Sequence, residues 1–165
     1  MNEVIIIDAR SAQAAGEPVR IIAMTLAASG KILVSKTASY HERITPKDDT
    51  VVVTDTPNLH RHWSLSFDEK SHMKEVIRCY RQVKSSGLLQ LSDAVRQYDP
   101  SDVLQAAKMD ERGQVYEFDS SITCGHMATL MAIWAAHTAY TGAVITDMHT
   151  DDEDDDNDDM VPFTV

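Results

Sequence analysis

The sequence predicts an α/β fold, a mixed sheet in which an antiparallel meander comes first and helices pack on it afterwards. Three observations carry this. β-branched runs crowd residues 1–67, apolar residues recur at helical spacing from residue 68, and an apolar content of 43% over 165 residues is enough to bury one core. An α+β arrangement, with the helices segregated on one face, is the alternative the same order allows.

EVIII, 3–7, is a short run of β-branched residues and predicts a buried strand. VRIIAMTLAASGKILVSKTASY, 19–40, predicts two strands around a turn at Ser29 and Gly30. TVVVT, 50–54, bounded by Asp49 and Pro57, predicts a fourth strand, and the alternation of HWSLSF, 62–67, a fifth. From Asp68 to Lys84, Met73, Val76, Ile77, Tyr80 and Val83 keep the spacing of an amphipathic helix, and Gly87 follows as a stop signal. LLQLSDAVRQY, 88–98, predicts a second helix that ends before Pro100; SDVLQAAKM, 101–109, predicts a third, capped by Ser101. QVYEF, 114–118, reads as a last strand. Residues 122–140, rich in Ala, Met and Leu around Trp134, read as a largely buried helix that Gly142 ends.

The charge divides the chain in two. The formal net charge is -11, but eight of the nine residues 151–159 are acidic; without these and Asp147, 17 acidic residues face 15 basic ones. The expected organisation is one globular domain, 1–146, followed by a disordered acidic tail, 147–165. Such a balance excludes a protein that coats nucleic acid through overall charge, and leaves room for a local basic patch. Cys79 and Cys124 show no metal-ligand spacing and are expected to be reduced. MNEVIIIDAR lacks the pattern of a signal peptide, and no run of 18 apolar residues occurs. No membrane contact and a cytoplasmic location are the expectation, in a bacterial host if the chain is a phage or mobile-element product.

Helical spacing places Lys70, Lys74, Arg78 and Arg81 along one face of the 68–84 helix, and Lys84 extends the row. Such a stripe suits phosphates, and nearby His62 and Trp63 offer a stacking surface to a base. His60 and His62 form an HxH pair, but no third ligand has a matching spacing, so no metal site is expected. GxSxG, P-loop and GxGxxG motifs are absent. HWSL, 62–65, is similar to one half of the paired signature of two-histidine phosphoesterases; the other half is missing, because Met127 and Ala128 follow His126.

YEFDSSITCGHMATLMA, 116–132, resembles the last motif of the DEDD-type proofreading exonucleases, the family of the bacterial polymerase III epsilon subunit, with His126, Ala128, Leu130 and Ala132 in matching positions. VIIID, 4–8, followed by RIIAM and GKIL, resembles that family's strand bearing the first metal-binding Asp and the hairpin after it. The resemblance implies a ribonuclease-H-like fold and, were activity kept, Asp8, Asp55, Asp119 and His126 acting with Mg or Mn. The family's D-x-E is here Asp8, Ala9, Arg10, and its Asp five residues after the histidine is Met131. A two-metal mechanism needs those carboxylates, so the expectation is a fold without catalysis and without cofactor.

DDNDDMVPF, 155–163, resembles the acidic tip of bacterial single-stranded DNA-binding protein, which docks on replication and repair partners. The resemblance implies partner contacts by Asp154, Asp155, Asp156, Asp158, Asp159, Pro162 and Phe163. In that family Phe is the last residue, whereas here Thr164 and Val165 follow. Together these features lead to the expectation of an accessory protein of nucleic-acid metabolism that binds single strands, replication or repair proteins, or both. An acidic DNA mimic that inhibits a host nuclease or polymerase, and a divergent 3'-5' exonuclease, are the alternatives.

Overall fold

The computed structural model describes residues 4–45, 47–110, 113–118, 122–140 and 149–150. A six-stranded mixed sheet is built from β1 (Val4–Ser11), β2 (Val19–Leu26), β3 (Ile32–Ala38), β4 (Thr50–Thr54), β6 (Leu65–Ser66) and β7 (Leu89–Leu91), in the order β6-β4-β1-β2-β3-β7. β1, β2 and β3 form the expected antiparallel meander, and β4 runs parallel to β1 on its far side, Asp8 opposite Val52. The β2–β3 turn closes where Gly30, at φ 75°, donates its N–H to the Leu26 carbonyl. That backbone region is open to glycine at little cost.

Alternation along the strands sorts the sheet into two unlike faces. Ile7 and Ala9 of β1, Ile21 and Ala23 of β2, and Val51 and Val53 of β4 enter the hydrophobic core, while Asp8 and Arg10 point the other way. Against the core face lies α2 (Cys124–Tyr140), whose residues 127–136 are all buried. A helix apolar on every side needs a cover on every side. The cover opposite the sheet is α1 (Glu69–Ser85), which buries Val76, Ile77, Cys79, Tyr80 and Val83. Asp68 caps α1 by accepting the Ser71 N–H at 3.0 Å, and Gly87 at φ 74° ends it as the helical stop signal requires. This is an α/β fold with a mixed sheet. No helix among the described residues is long and apolar enough to cross a membrane.

Four expectations need correction. The strand expected over 3–7 continues to Ser11, because β2 and β4 pair with it along its length. The strand expected over 62–67 divides at Ser64 into β5 (His62–Trp63) and β6, which pair with different partners. Residues 89–91 are strand rather than helix. The edge of β3 recruits them in parallel, Ile32 opposite Leu89, with the Ser92 N–H on the Val34 carbonyl at 3.0 Å; only Asp93–Tyr98 winds, as a 3-10 helix. The third expected helix is a 3-10 turn, Pro100–Asp102, capped by the Asp99 side chain, followed by β8 (Leu104–Asp110), which pairs with β9 (Gly113–Phe118) as a separate hairpin. Pairing with the neighbouring strand overrides the helix preference of Ala, Gln, Lys and Met there. β10 (His149–Thr150) pairs antiparallel with β5.

Candidate functional site

The cation row of α1 is displayed as the spacing predicts. Lys70, Lys74, Arg78, Arg81 and Lys84 are all exposed. The first four fall within roughly 80° of arc at 100° per residue and span roughly 16 Å of axis. The buried flank of the same helix sets their direction, and Trp134 of α2 holds Glu75 aside through its Nε1–H at 3.2 Å. Among the described residues no carboxylate lies within ion-pair distance of Lys70, Lys74 or Arg78. Lys84 stands over the Tyr80 ring, 5.6 Å from its centroid. Trp63 is half-buried in β5, so little of its ring faces solvent.

On the sheet face away from α2, the first strand of the exonuclease resemblance has become an ion-pair anchor. Arg10, two residues beyond Asp8 and therefore on the same face, donates Nε and Nη2 to its two carboxylate oxygens, each at 3.2 Å. Arg20, directly opposite Arg10 in β2, donates Nε and Nη2 to the same oxygens at 3.0 and 3.1 Å. Both carboxylate oxygens are thereby filled with cationic donors, in sites where Asp8 is 5% and Arg10 1% exposed. Burial works against the Arg20 charge, but hydrogen bonds and the charges of Asp8 and Glu42 outweigh it and raise its pKa.

The spare donors of the two arginines hold the connection 39–49 that carries the chain from β3 across the sheet to β4. Arg10 Nη1 donates to the Tyr40 carbonyl at 3.0 Å and to the Glu42 carbonyl at 2.6 Å. Arg20 Nη1 donates to the Ser39 carbonyl at 3.2 Å and to Glu42 Oε1 at 2.9 Å. Parallel strands of one sheet usually need a helix as their crossover. Here a pinned loop serves instead.

The other residues of the resemblance are used elsewhere. Asp55 faces the α2 side, opposite to Asp8, and accepts from Ser11 Oγ at 2.6 Å, the Ala12 N–H at 2.9 Å and the Gln13 N–H at 3.3 Å. His126 closes the first turn of α2: its Nδ1 takes the Thr123 N–H at 3.3 Å while its own N–H reaches Thr123 Oγ1 at 3.4 Å. This is the reciprocity of a capping box, with histidine in place of Glu or Gln. Met131 is buried in the core. Asp119 lies outside the described residues, as do Asp154, Asp155, Asp156, Asp158, Asp159, Pro162 and Phe163. Asp8 and Asp55 do not converge, and among the described residues no three of His, Cys, Asp or Glu are grouped to hold a metal ion. The Asp8 site, saturated by two guanidinium groups, does not fit the pair of divalent ions that family chemistry requires.

Both cysteines are free and buried; burial pushes the Cys79 thiol up to about 12 and also raises that of Cys124. Neither is a ready nucleophile.

Beside the pinned loop lies a feature that sequence reasoning missed. A cavity of about 700 Å³ opens between the β3–β4 connection and residues 59–62, which follow β4. Arg43, Arg61, His41, His60 and His62 line it, with Glu42 the one carboxylate among its described lining residues. It sits beyond the carboxyl ends of the parallel strands β1 and β4, a usual place for ligand sites in open sheets. HxH at 60–62 was the available signal, but the partners in 40–44 come from a segment without periodicity. Comparison with protein-family models, with curated proteins and with solved structures finds no match for this chain.

Proposed function

We propose that the chain is an accessory protein of nucleic-acid metabolism that binds single-stranded nucleic acid without cutting it, and that its acidic C-terminal residues, Asp154 to Asp159 with Pro162 and Phe163, engage a replication or repair partner. One observation carries the first part: four cations share one exposed edge of α1, and three of them, Lys70, Lys74 and Arg78, have no carboxylate within ion-pair distance among the described residues. Positive groups left in this way are available for backbone phosphates, and four contacts give a log–log salt slope of about -3 on a single strand. The meander followed by a parallel strand supports a ribonuclease-H-like descent, with the metal-binding position given over to Arg10.

Fluorescence anisotropy with a labelled single strand tests the reading, on the full chain and on a chain lacking residues 151–165. Binding at low salt that weakens at least about tenfold in Lys74→Glu/Arg78→Glu is the expected result. Absence of binding by both forms at low salt disposes of it. Incubating the labelled strand with magnesium or manganese gives no cleavage on this reading.

A further inference from the structure

We propose that the sheet face opposite α2 seats the chain's own C-terminal apolar segment, Met160 to Phe163, in an intramolecular contact that any partner of that segment must displace. This goes beyond the reading above and takes from it one element, the partner contact of Phe163.

The observation is a break in strand alternation. A sheet with one face in solvent places polar residues at every second position, whereas strands covered on both faces read as unbroken apolar runs. VIII of β1 and IIAM of β2 are such runs. Ile7, Ala9, Ile21 and Ala23 use one set of positions in the core against α2, and α1 packs on α2. The other set points away. Pairing aligns it in rows across three strands, Val4 beside Leu26, and Ile6 beside Met24 and then Leu33, with Ile22 next along β2. None of these six belongs to the core cluster; Val4 and Leu26 are 39% and 37% exposed and the others half-buried. Among the described residues no helix is placed over them. The connection 39–49 borders the patch without covering it. Arg10 and Arg20 hold it at the Asp8 end, and at its close the Asp49 carbonyl takes the Ile6 N–H at 2.7 Å.

Size selects the occupant. Three strands about 4.8 Å apart and five residues of about 3.4 Å give a patch of roughly 240 Å². A second copy seated on it would bury about twice that, well short of the roughly 1,000 Å² that a specific interface needs. A short apolar segment matches it, because one aromatic side chain alone buries about 150–250 Å². Met160, Val161, Pro162 and Phe163 form such a segment, and they can reach. Thr150 pairs with His62, the Ser64 N–H meets the Val52 carbonyl, and Val52, Asp8 and Ile22 are successive neighbours across the sheet. That path is at most roughly 30 Å, while the chain from Thr150 to Met160 extends to roughly 33 Å. Charge does not oppose the contact: Lys31, Lys36 and Lys47 on the exposed border offset Asp48 and Asp49, so the apolar match decides.

The test compares methyl NMR spectra of the full chain, a chain lacking residues 160–165, and the full-length variant Phe163→Ala. The expected result is movement of the Ile6, Ile22 and Met24 signals in both altered chains, with Met131 and Ile133 on the other face unmoved. A peptide of residues 160–165 added to the shortened chain should return them. Met24→Glu, which leaves the core untouched, should weaken that peptide at least about tenfold. Unmoved Ile6, Ile22 and Met24 signals in the shortened chain and in Phe163→Ala overturn the proposal. Peptide binding that survives in a folded Met24→Glu chain overturns it equally. Movement that appears only together with a dimer mass in sedimentation assigns the face to a second copy and also overturns it. Strand binding by α1 is read separately by anisotropy and should be equal in Phe163→Ala and the unaltered chain, so the failure of one reading leaves the other standing.

Discussion

On one face of the sheet Ile7, Ala9, Ile21, Ala23, Val51 and Val53 meet a helix that is buried along residues 127–136, whereas on the other face a single carboxylate, Asp8, meets Arg10 and Arg20. The first contact is non-directional and spread over many atoms, so no one group decides it. The second is directional and concentrated. Removing one atom set there leaves like charges facing each other in a site closed to water, and the loop above loses its footing. Stability on the two faces is therefore sensitive to different changes.

The sharpest way to break the comparison is Asp8→Ala. It strands two guanidinium groups, one of them on a side chain 2% exposed, and should cost about 3–5 kcal/mol in urea unfolding. Replacing all three groups, as Asp8→Leu/Arg10→Leu/Arg20→Met, should recover most of that loss by the same measurement. On the apolar face, Leu130→Ala opens a void under the sheet and should cost about 3 kcal/mol by the same measurement. Gly125→Ala tests the end of that face: a Cβ there would stand 2.1 Å from the Tyr98 ring, so a loss of about 1–3 kcal/mol is expected. Adding Tyr98→Leu should return part of it in a double-mutant cycle.

The smallest effect is one of pH. Burial, and then the charge of Arg10, lower the pKa of His60 below the ordinary 6.5. The unfolded chain then binds the proton more readily than the folded one, so the contribution is complete above about 6.5 and is lost as pH falls from there toward the folded value, below which it levels off. Thermal melts should show this slope, and His60→Gln should reduce it.

Much of the sheet and both helices were legible because their signals are local. The β-branched runs at 19–26 and 50–54, the glycine at the β2–β3 turn and the apolar spacing of α1 each act within a few residues. What was missed depended on a partner strand. Leu89–Leu91 became strand because β3 had an open edge, and Leu104–Asp110 because β9 returned to pair with it. The site shows the same limit. The exposed lysines and arginines of α1 follow from helical geometry, but the conversion of Asp8 into an anchor depends on Arg20, twelve residues away, and the cavity depends on a loop that Arg10 and Arg20 hold. Arg10, by contrast, was visible as a misfit in the exonuclease pattern. Its meaning was not.

The pairing of β10 with β5 has a consequence for everything beyond it. Thr150 lies opposite His62, a lining residue of the cavity, and the next residue in the chain is the first of the eight carboxylates at 151–159. The chain therefore enters its acidic run from a point that pairing with β5 fixes beside a lining residue of the cavity. Deleting residues 149–165 removes the partner strand of β5 together with the carboxylates, whereas deleting 151–165 removes the carboxylates alone, so urea unfolding of the two shortened chains should differ by what that pairing contributes.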